Sequence, residues 1–349
     1  MGEKEANIYD VAEEAGVGIG TVSRVLNESQ KVKEETREKV KKAMNKLNYR
    51  PDAMARGLAR QRTNSAAVLV PTFTEHFFVE VLRGVQKGLE KYEMDLVLYD
   101  VGSQEKKERH VNRVLNEKKV DGVLAIYTLA PEKIDGFKEA DLPLVVINEA
   151  EEKTDSIFIN DILGARKAVD YLLDLGHSDI AFLNGPLHSP HAVKRLQGVK
   201  KAFSDSCLEF RKDLLISGDL YPELTVESDF TEELGFEQME KILGRPEKKQ
   251  PSAIFAASDI QAIGALKAIG EKGLSVPEDY SLIGYDDIDL ARHLNLTTIS
   301  QPMFNMGKMG VDVLMERIAA DLPYADKKFI SKKLEPELVI RDSCRELHR

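Results

Sequence analysis

Two cysteines in 349 residues, Cys207 and Cys344, are too few and too far apart for a disulfide framework or a cysteine metal cluster. They read as small apolar side chains of a reducing compartment, and the expected location is the cytoplasm. Long apolar runs are missing as well. No stretch approaches the roughly 18 uninterrupted apolar residues of a membrane span, and the opening MGEKEANIYD has no apolar segment of the kind a secretory leader carries. The sequence also holds no G-x-x-x-x-G-K, H-E-x-x-H or G-x-S-x-G motif, which leaves no obvious phosphate cradle, metalloprotease helix or nucleophile elbow. The 7 histidines are scattered. His188 and His191 flank a proline without a carboxylate beside them, so they read as loop residues rather than metal ligands. The expectation is therefore no metal, no cofactor and no enzymatic activity.

What is present divides along the chain. The net charge of −10 argues against nucleic acid until it is split: residues 1–63 carry 13 Lys+Arg against 10 Asp+Glu, and the remainder 36 against 49. A mildly basic head on an acidic body fits a small DNA-contacting module joined to something else. The head reads as short helices. Ile8, Val11, Ala12 and Ala15 have helical spacing, as do Val22, Val25 and Leu26, and Thr36, Val40, Ala43, Met44 and Leu47 share a third face. Pro51 interrupts the pattern, and a polar linker follows. From Ala66 onward, short apolar runs such as AAVLV, DLVLYD, LVVIN and DIAFLNG alternate with amphipathic helices. Continuously apolar strands with helices between them predict parallel sheets covered on both faces. Ligands in such sheets bind beyond the carboxyl ends of the strands, and those ends are polar here: Asp100, Asn148, Asn160, Asn184, Ser258–Asp259 and Asp286–Asp287.

The stretch AGVGIGTVSRVLN invites a dinucleotide-loop reading, which fails twice. The third glycine position of G-x-G-x-x-G falls on Thr21 or Ser23, and the preceding IYDVAEEA is helical rather than a strand. A helix-turn-helix over Ile8–Asn27 fits instead. Ala12 is small where two helices cross, and Gly16 supplies the positive φ of the turn. Val17, Val22 and Val25 lock the helices together, and Gly18 takes the cap of the second helix. Ile19, Gly20, Ser23, Arg24 and Asn27 then face outward, with Arg24 placed for a guanine edge in the major groove.

These segments, with ETREKV, LNYRPDAMARGLA, LGHSDIAFLNGP, RLQG, AASDIQAIGAL and LIGYDD, resemble the lactose-repressor (LacI) family of bacterial transcription regulators over nearly the whole chain. The resemblance implies a small all-α helix-turn-helix head and a hinge helix joined to an α/β core. That core would have two parallel-sheet subdomains of the type I periplasmic-binding-protein kind. Boundaries follow: head 1–50, hinge and linker 51–64, and core 65–343. Within the core, an N-subdomain would take 65–160 and 295–322, and a C-subdomain 161–294 and 323–343. The implied partners are a pseudo-palindromic double-stranded DNA operator, a small sugar-like effector and a second copy of the chain in a homodimer, with no membrane. The implied function is repression of carbohydrate-utilisation genes.

The DNA-contacting set carried over is Tyr9, Gly18, Ile19, Gly20, Thr21, Ser23, Arg24, Asn27, Tyr49, Ala55 and Leu58. Leu58 matches the leucine that wedges into the central minor-groove step. For the effector, the resemblance implies Phe77 or Phe78 against a sugar face, Arg195 and Asp286 on hydroxyls, and Asn160 or Asp161, Ser258 or Asp259, and Phe230 around them. Arg and Asp each present two parallel hydrogen-bonding groups, which suits vicinal hydroxyls. Two departures stand out: Thr72 and Glu75 replace a frequent Asp and Asn, and GDLYPELTVE precedes SDFTEELGF as extra sequence. YRPDAMARGLA also resembles the catabolite-control branch, whose corepressor is a phosphorylated carrier protein. A transport-type sugar-binding protein is the remaining alternative, but the helix-turn-helix argues against it.

Overall fold

The computed structural model describes residues 6–26, 31–49, 63–117, 119–224, 228–320, 323–324 and 328–347. The proposed contacts Asn27, Ala55 and Leu58, and the hinge segment, lie outside the described residues.

The head is three helices, α1 (Ile8–Glu14), α2 (Ile19–Leu26) and α3 (Glu34–Lys46). Asn7 starts α1 with a reciprocal cap. Its Oδ1 accepts from Tyr9 N at 2.8 Å and Asp10 N at 3.3 Å, while Asn7 N donates to Asp10 Oδ2 at 2.8 Å. Val11, Ala12, Val22, Val25, Val40 and Ala43 form the buried centre of this small bundle. Gly16 takes φ +64° between α1 and α2, as the turn requires.

The core starts with β1 (Ser65–Val70), whose last five residues are fully buried because helices cover both faces of the sheet. There follow α4 (His76–Glu90), β2 (Asp95–Asp100), α5 (Gln104–Glu117), β3 (Gly122–Ala125), α6 (Pro131–Glu139), β4 (Leu144–Ile147) and β5 (Asp155–Ile159). The chain then runs through α7 (Asp161–Asp174), β6 (Ile180–Asn184), α8 (Pro190–Asp205), β7 (Leu215–Ser217), α9 (Glu232–Leu243), β8 (Ala253–Ala256), α10 (Asp259–Glu271) and β9 (Ser281–Asp286). It ends with α11 (Asp289–His293), β10 (Thr297–Ser300), α12 (Met303–Ala319), β11 (Ser331–Leu334) and β12 (Glu337–Val339).

One six-stranded sheet has the order β11-β5-β4-β3-β1-β2, all parallel; the other has β12-β10-β9-β8-β6-β7, parallel except for antiparallel β12. The chain therefore passes between the sheets after β5, after β10 and after β11.

This topology corrects two expected boundaries. Residues 295–300 belong with the C-subdomain, because β10 pairs with β9. Residues 323–334 belong with the N-subdomain, because β11 pairs with β5 and Tyr324 packs into the core around β1, β3 and β4. In the N-subdomain, α12 lies hard against α4. A Cβ on Gly307 would come within 2.0 Å of the Val81 carbonyl, and one on Gly84 within 1.9 Å of the Phe304 carbonyl. That close approach fixes where the chain re-enters the N-subdomain from β10, and so fixes one wall of the cleft.

Candidate DNA-reading head and effector cleft

The head exposes a candidate reading surface. Gly18 caps α2, its carbonyl accepting from Thr21 N at 2.7 Å and Val22 N at 3.2 Å. Tyr9 is 66% exposed and Ile19 42%, both high for apolar bodies. Gly20 and Arg24 are exposed, whereas Thr21 and Ser23 are half-buried at the flanks. Tyr49 differs from expectation: it is half-buried against the head's own core, so packing occupies much of its ring.

Arg24 Nε donates to the Gly20 carbonyl at 2.8 Å, folding the guanidinium back along α2. A Cβ on Gly20 would meet only Arg24 Nη2, at 3.6 Å, which is ordinary contact. Gly20→Ala is accordingly expected to stabilise α2 by about 1 kcal/mol through helix propensity and to leave operator preference little changed. Slower amide exchange in α2, together with an unaltered consensus in a binding selection, would check both halves.

In the core, the strand ends converge on a charged cluster. Asp161 is the first residue of α7 and is buried. Its Oδ1 accepts from Arg195 Nε at 2.9 Å and from the Tyr285 hydroxyl at 3.4 Å, and its Oδ2 lies 3.0 Å from His191 Nδ1. Burial opposes ionisation of Asp161, but the Arg195 and His191 charges override it and hold the carboxyl well below the usual carboxylate range. Arg195 is 5% exposed. Its Nη1 donates to the Ala257 carbonyl, and its guanidinium lies over two rings, 3.9 Å from the Tyr285 centroid and 5.2 Å from that of Phe230. Phe230 thus reaches the cluster despite the extra residues before it, which fold into the short turns Gly218–Leu220 and Pro222–Leu224.

Asp286 ends β9 with φ +120° and accepts from Gln301 Nε2 at 2.5 Å. Burial pushes its carboxyl up to about 6, against the pull of Arg195 and Gln301. Asp286 and Arg195 influence each other electrostatically, yet among the described residues no hydrogen bond joins them, and Arg195 Nη2 has no bonded partner.

From the facing subdomain, Glu75 reaches Ser228, and burial with repulsion from Asp229 and Asp286 pushes its carboxyl up to about 7. A carboxyl raised in the folded state binds more protons there than in the unfolded chain. Stability therefore falls as pH rises through the window from about 4.5 to about 7. The core is expected to melt at higher temperature near the bottom of that window than above it. Glu75→Gln should flatten the part of the slope that lies between those limits.

Other expected residues take different places. Ser258 caps α10, accepting from Gln261 N at 3.1 Å. Asp259 is fully buried, accepts from Thr298 Oγ1 at 2.6 Å and Ile288 N at 3.0 Å, and is not open to the cleft. The Asp259 carboxylate thus holds β10 and the start of α11 in place, and the Ser258 hydroxyl holds the start of α10. Asn160 caps α7, accepting from Leu163 N at 3.4 Å, and also lines a cavity of about 490 Å³ with Asp161, His188 and Lys194. Phe77 and Phe78 pack edge-on, 5.4 Å apart, against the N-subdomain core.

His191, read as a loop residue, sits on the first turn of α8. Its Nε2 lies 3.1 Å from Glu149 Oε1 and 3.0 Å from Asn148 Nδ2, so it ties the N-subdomain to Asp161. Lys194 Nζ adds a second bond to Glu149, at 2.8 Å. No spacing in the sequence connects residues 148–149 with 191–194. Only the carboxyl-end rule for parallel sheets pointed to Asn148.

A family profile described as bacterial regulatory proteins, lacI family, matches residues 7–52, and one described as periplasmic binding protein-like domain matches residues 169–344. The chain is 35% identical to the HTH-type transcriptional repressor PurR of Vibrio campbellii, over 98% of this chain and 100% of that protein. The chain belongs to the LacI family. Another LacI-family relative, the ribose operon repressor of Haemophilus influenzae, is 36% identical over 97% of this chain and 98% of that one. A lac repressor dimer bound to operator and the anti-inducer ONPF superposes with a TM-score of 0.81 and 30% identity, covering 98% of this chain and all of that one. As a LacI-family member the chain is a DNA-binding transcriptional repressor and not an enzyme. Among the described residues, no helix is long and apolar enough to cross a membrane.

Proposed function

We propose that this repressor binds a small hydroxylated molecule, a sugar or sugar derivative, between its two core subdomains, and that occupancy switches its affinity for operator DNA. One observation carries the reading. Arg195 is buried and fixed by Asp161, yet keeps Nη2 free, and it stands beside an Asp286 to which it makes no hydrogen bond. A donor and an acceptor held rigid but unjoined, with Phe230 against the guanidinium, suit adjacent hydroxyls on one molecule. The similarity to a ribose operon repressor supports a carbohydrate setting.

The chain would act in the cytoplasm as a homodimer on a pseudo-palindromic operator, placing one α2 in the major groove of each half-site. Exposed Leu98 on the sheet edge, with exposed Leu290, Leu294 and Phe304, offers apolar surface for the second copy. Tyr9, Gly18, Ile19, Gly20, Thr21, Ser23, Arg24 and Asn27 would form the head's DNA surface, with Tyr49 behind it. Ala55 and Leu58 would serve from the hinge.

Asp286→Asn tests the cleft. Asparagine keeps the shape, tolerates positive φ and can still accept from Gln301, so folding is preserved. A charged hydrogen bond from a ligand is worth about 1.5–3 kcal/mol, so sugar affinity should fall by about tenfold or more. Calorimetry against a panel of pentoses and hexoses reads this directly. Unchanged sugar affinity removes Asp286 from the site, and operator affinity without sugar should stay as in the parent.

A further inference from the structure

We propose that Asp121 is a positioning residue for operator binding. Its carboxylate clamps the last two linker residues, Thr63 and Asn64, and so fixes where and in which direction the chain leaves the core for the DNA-reading head. The clamp serves two heads on one operator, and in this it rests on the homodimer reading above.

Asp121 lies just before β3. Its Oδ1 accepts from Thr63 N at 2.7 Å and from Thr63 Oγ1 at 2.9 Å, and its Oδ2 accepts from Asn64 N at 2.8 Å. Both oxygens are thus used on two successive residues, 58 and 57 positions away in sequence. A loop carboxylate commonly closes its own turn by bonding the N–H two residues on. Asp100 does so, accepting from Gly102 N at 2.9 Å. None of the three Asp121 bonds is of that local kind. Hydrogen bonds to an ionised acceptor are roughly twice as strong as neutral ones, so three on one carboxylate make a firm joint.

The sheet does not need that joint. β1 begins at Ser65, pairs with β2 along its whole length and with β3 over Ala66–Leu69. The three bonds fall before the strand, so what they hold is the linker. Two further bonds complete the joint. The Asn64 carbonyl accepts from Asp95 N at 2.8 Å, and the Thr63 carbonyl accepts from Ser65 Oγ at 3.2 Å. Between them Asn64 takes φ +50°, a left-handed conformation that a residue other than glycine keeps where its surroundings hold it.

Two heads on one duplex bind as linked modules, and their joint affinity depends on how the tethers present them. Fixing the tether at its root removes freedom before docking, so less is lost on binding. A single head on a single half-site gains nothing from this.

The test is made on the full chain carrying Asp121→Ala. Partial digestion with trypsin, read by mass spectrometry, follows the Arg62–Thr63 bond, whose amide is the one Asp121 holds. Cleavage there should be faster than in the parent, because proteases cut backbone that is not tied down. Fluorescence anisotropy then compares a full palindromic operator with a duplex carrying one half-site. Affinity for the palindrome should fall by about tenfold, part of the roughly hundredfold or more that linkage contributes. Affinity for the half-site should match the parent. If Asp121→Ala lowers the melting temperature, Thr63→Val replaces it, keeping the carboxylate and removing only the Oγ1 bond. That variant should show a smaller loss, again confined to the palindrome. Three results overturn the proposal and leave the homodimer reading in place: unchanged cleavage at Arg62–Thr63, equal losses on palindrome and half-site, or unchanged affinity for the palindrome. A parent that binds the half-site as tightly as the palindrome overturns both.

Discussion

Replacing Arg195 by alanine is expected to cost the core about 3–5 kcal/mol, the usual loss when one partner of a buried ion pair is removed, and to abolish its response to ligand. Arg195 donates to Asp161 and to the Ala257 carbonyl and lies against the Tyr285 and Phe230 rings. Without it, Asp161 keeps a full carboxylate in a site with 3% exposure, facing only His191 and the Tyr285 hydroxyl. The pH dependence gives the sign. In the parent, Asp161 is held below its usual range, so it contributes stability at all pH values above that range and loses it only on strong acidification. In Arg195→Ala the main lowering charge is gone and burial pushes the carboxyl up. The deficit should therefore be largest at alkaline pH and shrink as the solution is acidified. Urea denaturation at two pH values measures this. The double variant Arg195→Ala/Asp161→Asn separates folding from binding: it should recover most of the stability, because the buried charge is removed, yet still fail to bind sugar. A double variant that binds sugar like the parent would remove Arg195 from the ligand's contacts.

Arg24→Ala should weaken operator binding by about 1–3 kcal/mol at each half-site, the value of a good bidentate base contact, and relax the preference at one base pair of each half-site. In the unbound head Arg24 is folded onto the Gly20 carbonyl, so docking exchanges that bond for the base edge and the net gain should lie toward the low end. Salt dependence decides between two roles. If Arg24 reads a base, the slope of log affinity against log salt should stay as in the parent. If it only neutralises a phosphate, affinity should fall equally on all sequences and the slope should lose about one unit. Fluorescence anisotropy on specific and scrambled duplexes at several salt concentrations measures both.

The parts of this molecule that carry strong local patterns are legible in the sequence. Apolar runs such as AAVLV and LVVI are buried on both faces and became the central strands. The turn glycine Gly16 has no cheap substitute at positive φ, and its neighbours Val11, Val22 and Val25 close on each other as spaced. Two strands toward the margins of the sheets were not legible. β11 reads SKKL and is largely exposed, so it has no apolar signature, and β10 reads TTIS, whose buried threonines are satisfied by partners such as Asp259 and Ser343. Missing those two strands is why the expected subdomain boundaries were displaced.

In the site, Arg195, Asp286 and Phe230 meet as the motifs implied, but the sequence could not show what fixes them. Asp161 grips Arg195 across 34 positions and His191 joins Glu149 across the cleft; both are long-range pairings with no sequence period. Ser258 and Asp259 look like ligand groups at a strand end, and only their hydrogen-bond partners reveal that capping and buried bonding occupy them.

Coupling between the core cleft and the operator is the central claim, and one titration tests it. An operator selected from randomised palindromes is titrated with the full chain, with and without the sugar that binds most tightly in the calorimetric panel. The same titration is repeated on Arg195→Ala/Asp161→Asn. The account predicts that saturating sugar changes operator affinity of the parent by about tenfold, within the usual range of allosteric coupling, and leaves that of the double variant unchanged. Equal operator affinity of the parent with and without bound sugar would contradict it.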